Sequence, residues 1–175
     1  MKKIVLALTL LTFGIIINAQ VSDHAIGIRG DGGNYGGGAE ISYQHKLSDE
    51  NRLELDLGFR SWGGGRGWGN DYGYSFVTIT GVYQWVKNIE GGLSWFVGPG
   101  AQISSIRYSY IDWDGRKYTD SYIGIGIGGQ LGIEYDFNEH GVPFQASLDT
   151  RPMLYFYDGN SDVWFGGALS VRYTF

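Results

Sequence analysis

Apolar and polar residues alternate along most of this chain with a period of two. The stretch from Arg52 to Arg60 is the plainest case. Leu53, Leu55, Leu57 and Phe59 share one parity, and Arg52, Glu54, Asp56 and Arg60 share the other. Successive side chains of an extended strand point to opposite faces, so this pattern predicts a strand with one greasy and one polar side. Eight segments behave this way. Strand one carries Ile26 and Ile28, and strand two Ala39, Ile41 and Tyr43. Strand four sets Val77, Ile79, Tyr83 and Trp85 against Thr78, Thr80 and Gln84. Strand five has Leu93, Trp95, Val97, Ala101 and Ile103, and strand six Ile123, Ile125, Ile127, Leu131, Ile133 and Tyr135. Strand seven sets Phe144, Ala146 and Leu148 against Gln145, Ser147, Asp149 and Arg151. Strand eight runs to the last residue: Val163, Phe165, Leu169, Val171, Tyr173 and Phe175 face one way, Trp164, Ala168, Ser170, Arg172 and Thr174 the other. Alternation in segments of about ten residues is the mark of a membrane-crossing strand. No stretch after residue 19 shows a sustained helical period.

The connections alternate as well. Leu47–Asn51, Asn88–Gly92 and Asn138–Pro143 are short. The other set contains the long Gly63–Tyr74 and Ile106–Tyr122 regions, with the shorter Asp31–Gly38 and Asp158–Ser161. This rhythm predicts an all-β fold, an eight-stranded antiparallel up-and-down transmembrane β-barrel with short periplasmic turns and longer outer loops.

The first residues predict export. Lys2 and Lys3 precede an apolar run from Ile4 to Ile17, then Asn18-Ala19-Gln20, which reads as a signal peptide over 1–19 with residues 20–175 as the barrel domain. The apolar run falls short of the roughly 20 residues a spanning helix needs. The formal charge is −5, and losing two lysines makes the mature chain more acidic, which argues against nucleic acid as a partner. There is no cysteine, so disulfide and thiolate chemistry are excluded.

The terminal strand, with Phe175 last and Tyr173 and Val171 two and four places earlier, resembles the final strand of Gram-negative outer-membrane barrels. Together with strand count, loop rhythm and leader, the chain from Gln20 to Phe175 resembles the small eight-stranded outer-membrane β-barrel family, including OmpX-like, OmpW-like and porin-like members. The resemblance implies location in the cell outer membrane and contact with outer-membrane lipid. It also implies that the barrel-assembly machinery reads Val171, Tyr173 and Phe175.

The polar parity carries long charged side chains. Arg29, Glu40, Glu54, Asp56, Arg60, Glu134, Asp149, Arg151 and Arg172 fall on the lumen side. An eight-stranded barrel has an interior only wide enough for side chains to fill. Unpaired charges there are costly, so a mutually hydrogen-bonded Arg–carboxylate plug is expected, with Arg60, Arg151 and Arg172 facing Glu54, Asp56, Glu134 and Asp149. Glycines of the same parity, among them Gly98, Gly100, Gly124, Gly126, Gly128 and Gly132, leave room for those side chains.

Catalytic motifs are weak. The glycine-rich 63–73 stretch lacks the Gly-Lys-Ser/Thr ending of a phosphate loop, and Asp112-Trp113-Asp114-Gly115 lacks the later ligands of a calcium loop. His24, His45 and His140 all map to the periplasmic end, away from the outer end where those outer-membrane barrels that are enzymes place their catalytic groups. No cofactor or metal cluster is expected. The expectation is a non-enzymatic, monomeric barrel with a closed polar lumen, in a structural or loop-mediated interaction role. The alternative is a narrow porin or a carrier of small hydrophobic molecules. A soluble lipocalin-like carrier fits poorly, because Tyr83, Trp85, Trp95, Tyr135 and Tyr173 fit an interfacial aromatic girdle.

Strands five and six, about twice the length a crossing needs, predict a protruding hairpin. Lipid-facing residues are odd-numbered on both, so paired positions sum to an even number. A three-residue Trp113-Asp114-Gly115 loop with Gly115 left-handed gives a sum of 228, placing Tyr110 opposite Tyr118 and Asp112 opposite Arg116. Tyr108, Tyr110, Trp113, Tyr118 and Tyr122 are the candidate outer binding residues, open to an extracellular partner by strand addition.

Overall fold

The structure is a computed structural model and describes residues 22–34, 36–63, 72–111 and 114–175. The leader expected at 1–19, and Asp112 and Trp113 at the hairpin tip, lie outside the described residues. The strands are β1 (His24–Gly33), β2 (Gly36–Ser48), β3 (Asn51–Gly63), β4 (Tyr72–Glu90) and β5 (Leu93–Ile111). They continue as β6 (Lys117–Asp136), β7 (Phe144–Thr150), β8 (Met153–Tyr157), β9 (Asn160–Trp164) and β10 (Gly166–Thr174). A short 3-10 turn, Phe137–His140, joins β6 to β7.

Consecutive strands pair antiparallel from β1 to β7, β7 pairs with β10, and β10 pairs back onto β1. That closes an eight-membered ring. At the seam the His24 N–H donates to the Phe175 carbonyl at 3.0 Å and the Phe175 N–H donates to the His24 carbonyl at 2.9 Å.

Ten segments make eight barrel strands because of one proline. β7 and β8 share a single register against β6, with Leu131 opposite Thr150 and Gly124 opposite Tyr157. β9 and β10 likewise continue one another. The gap at Arg151-Pro152 lies across from the gap at Phe165. Proline has no N–H to give the ladder. Phe165 is held instead from the β1 side, where the Asn34 N–H donates to the Phe165 carbonyl at 3.3 Å and the Phe165 N–H donates to Asn34 Oδ1 at 3.2 Å.

The strands reach further outward than the alternation alone suggested. Asp31–Gly38 is not a loop, since β1 runs to Gly33 and β2 starts at Gly36. Between β8 and β9 only Asp158 and Gly159 turn the chain, at φ 45 and 74. The β5–β6 ladder runs from Leu93 opposite Tyr135 to Ile111 opposite Lys117, with Tyr110 opposite Tyr118 and Gly115 left-handed at φ 74.

The two faces of the wall are inverted relative to a soluble protein. Ile28, Leu169 and Ile123 are 68, 67 and 72% exposed, while Arg52, Glu54 and Arg172 are at 1, 0 and 1%. A continuous apolar belt of this kind is stable in hydrocarbon, and charged interiors are stable only when enclosed. The barrel spans a membrane. Tyr43, Trp85, Trp95, Tyr135, Phe144 and Tyr173 ring the end that carries the short turns, and Phe59, Phe156 and Phe165 mark the other rim.

Two glycines of β6 make room for large side chains: a Cβ on Gly132 would lie 2.5 Å from Phe96 Cζ and 2.7 Å from Asp149 Cβ, and one on Gly126 would lie 3.0 Å from Tyr155 Cζ. Gly98 and Gly128 differ from the expectation. There the neighbours are the backbone carbonyls of Tyr83 and Pro152, at 1.6 and 2.1 Å from a hypothetical Cβ, so close strand approach selects glycine.

Candidate functional site

The lumen is filled at mid-height by a polar network centred on Glu54. Glu54 sits in the alternation of β3, two places from Arg52 and two from Asp56, so all three project inward. Its Oε2 accepts from Gln44 Nε2 at 2.6 Å, Arg172 Nη2 at 2.9 Å and Gln84 Nε2 at 3.1 Å. Its Oε1 accepts from Arg151 Nη2 at 2.9 Å and Gln130 Nε2 at 3.1 Å. A fully buried carboxylate is stable only with such a donor set.

Each arginine bridges strands. Arg151 also donates to Asp56 at 2.5 Å and to Glu40 at 3.2 Å. Arg29 donates to Glu40 at 2.8 Å and, through two nitrogens, to Asp149 at 2.7 and 3.3 Å. Arg172 adds Ser42 and Ser147 at 2.9 and 3.0 Å. All nine expected lumen residues, Arg29, Glu40, Glu54, Asp56, Arg60, Glu134, Asp149, Arg151 and Arg172, are buried.

Three partnerships differ from expectation. Arg60 pairs with Asp31, not with Glu54, Asp56, Glu134 or Asp149, and its guanidinium lies 3.8 Å from the centre of the Trp164 ring. Asp149 is taken by Arg29. Glu134 is held by Arg52, which donates through both terminal nitrogens at 2.7 and 2.6 Å and sits over the Phe96 ring. Arg52 and Asp31 are thus network members beyond the nine expected from the sequence. The signal for Arg52 is present there, since it shares the parity of Glu54.

Above the network the barrel opens into an aromatic cup of about 460 Å³. One wall comes from β4 and β5, where Tyr74 and Tyr108 lie ring to ring at 4.7 Å and Tyr74 stacks on Phe76 at 6.3 Å. The opposite wall comes from β8 and β9, with Tyr155 against Trp164 at 5.1 Å. Tyr122 of β6 and Tyr157 of β8 complete the rim, where Asp158 and Asp162 supply carboxylates. The Arg60–Asp31 pair lies beneath Trp164. Among the candidate hairpin residues, Tyr108 and Tyr122 line this cup, while Tyr110 stacks on Tyr118 at 5.0 Å.

No protein-family model matches the chain, and no curated protein does. Solved structures do. A major outer-membrane protein of Thermus thermophilus superposes with a TM-score of 0.60 at 14% identity, over 89% of this chain and 100% of that one. Ail, the attachment invasion locus protein of Yersinia pestis, gives 0.58 at 14% identity over 88% and 97%. The N-terminal β-barrel domain of Pseudomonas aeruginosa OprF gives 0.56 at 20% identity over 89% and 100%. The fold is that of a small outer-membrane β-barrel.

Placed in such a barrel, the short turns are periplasmic and the cup opens outward. Val171, Tyr173 and Phe175 face lipid at the C-terminal end of the wall. The histidines gather at the periplasmic end: His24 Nδ1 lies 2.8 Å from the Tyr43 hydroxyl, His45 stacks on His24, and His140 Nε2 lies 2.8 Å from the Tyr135 hydroxyl. On the outer side, β4 covers one edge of β5 up to Tyr110. β8 covers β6 only up to Gly124, so among the described residues the Lys117–Ile123 edge of β6 pairs with β5 alone.

Proposed function

We propose that this protein is a non-enzymatic, integral outer-membrane barrel with a closed lumen, which presents the β5–β6 hairpin to an extracellular partner. The observation that carries the closed state is Glu54, a fully buried carboxylate with five donors from five side chains that meet across the barrel. A continuous water path would have to part those bonds. The clustering of all three histidines at the periplasmic end supports a non-catalytic outer mouth. Among the described residues Lys117–Ile123 is paired on one side only, which supports uptake of an extended segment of another protein by strand addition.

Planar-bilayer recording of the refolded protein tests closure. The expected trace is flat or shows rare brief openings, and a stable, large, ohmic conductance would establish the narrow-porin alternative instead. An epitope inserted after Asp114 tests presentation. Antibody should label intact cells; labelling only after the outer membrane is permeabilised would reverse the orientation.

A further inference from the structure

We propose that the aromatic cup at the outer mouth is a binding site for a small organic cation of the quaternary ammonium class. The cup is a built concavity above the plug, with a volume of about 460 Å³ that falls within the roughly 300–1,000 Å³ of small-molecule sites.

Its chemistry selects the charge. Among the described residues, seven of the twelve that line it are aromatic, and none is a lysine or arginine. Aromatic faces carry negative potential and attract cations within about 6 Å of the ring centre. Asp158 and Asp162 add formal negative charge at the rim. Asp162 is oriented by its own backbone, with the Val163 N–H donating to Oδ1 at 2.7 Å, which leaves Oδ2 for a ligand. Among the described residues, Arg60 is already paired with Asp31, and its guanidinium lies 3.8 Å from the centre of the Trp164 ring. The buried network below sets Arg29, Arg52, Arg60, Arg151 and Arg172 against Asp31, Glu40, Glu54, Asp56, Glu134 and Asp149, so its arginines are matched by acids. An ammonium wrapped in methyl groups satisfies both features: methyls against rings, charge against ring faces and carboxylates. A sulfate or phosphate ester would meet only like charge, and a neutral apolar molecule would leave the two aspartates unused.

The test compares choline with 3,3-dimethylbutan-1-ol, which replaces the nitrogen by carbon and removes the charge at nearly constant shape. Titration calorimetry uses the full-length mature protein in a polyoxyethylene detergent, whose headgroup is neither charged nor a sugar. Choline is expected to bind at least tenfold more tightly than its carbon isostere. Tyr122→Leu, which keeps apolar bulk and loses the ring face, should weaken choline roughly 2- to 30-fold while leaving the isostere unchanged. Asp162→Asn, which can keep the Val163 contact, should also weaken choline alone. Gel mobility of unheated samples confirms folding of both variants. Equal binding of the two probes, preference for the isostere, or no binding of choline at millimolar concentration would overturn the proposal. A flat conductance with no choline binding would leave the closed barrel standing and remove this site alone.

Discussion

Replacing Glu54 by alanine is the sharpest probe of the plug. The carboxylate is fully buried and accepts from Arg172, Arg151, Gln44, Gln84 and Gln130. Without it Arg151 keeps Asp56 and Glu40, but Arg172 is left with only the hydroxyls of Ser42 and Ser147. Leaving a buried charge without its counter-charge costs about 3–5 kcal/mol, so Glu54→Ala should lower unfolding free energy by that amount. Arg172→Ala should cost less, about 1–3 kcal/mol, because Glu54 retains Arg151 and three amide donors. The double variant should be less destabilised than the sum of the singles by about 0.5–3 kcal/mol, since the orphaned guanidinium is gone. Urea unfolding in lipid vesicles, followed by tryptophan fluorescence, reads all three. A Glu54→Ala variant within about 1 kcal/mol of the parent, the scale of a solvated surface pair, would show that the lumen is wet and the plug reading wrong.

Gly132→Ala should destabilise by about 1–3 kcal/mol through overpacking against Phe96 and Asp149, with partial recovery on adding Phe96→Leu; thermal melts in detergent check this, and a neutral Gly132→Ala would mean the wall gives way freely. Removing Phe175 deletes both backbone bonds to His24 and the terminal aromatic, so folded barrel in membrane extracts should fall and periplasmic degradation products rise; unchanged folded yield would refute the terminal-residue role. The exported protein should begin at Gln20, which N-terminal sequencing of the outer-membrane form reads directly.

The strand layout was legible because a membrane-spanning wall forces every residue to choose between lipid and lumen. The β5–β6 register followed from the same parity and one left-handed glycine. The charge partners were not legible to that degree. Arg52 meets Glu134 across 82 positions of sequence, and which long side chains reach the same height depends on barrel shear, which no local pattern records. The partner of Arg60 is hidden because Asp31 reads as part of a loop, whereas β1 carries it inward at the outer end of the plug. The cup is invisible for a related reason. Its rings come from β4, β5, β6, β8 and β9, and each contributes only one to three residues to a cluster that exists only after the ring closes.

The seam between β1 and β10 joins the two ends of the chain, and this constrains the order of folding. Arg29 of β1 waits for Asp149, 120 residues later, and Arg172 of β10 for Glu54, 118 residues earlier. Until the last strand arrives, Arg172 is missing from the plug and Glu54 lacks one of its two guanidinium partners, so the half-formed lumen is an open trough of charged side chains. Such a trough cannot enter hydrocarbon strand by strand, since each polar face would be stranded in lipid. Membrane entry and ring closure must therefore occur as one event. The slow step is bringing together ends separated by the whole barrel. A chain with a lumen this charged has reason to depend on a catalyst that shelters the incomplete trough while its final strand finds the first.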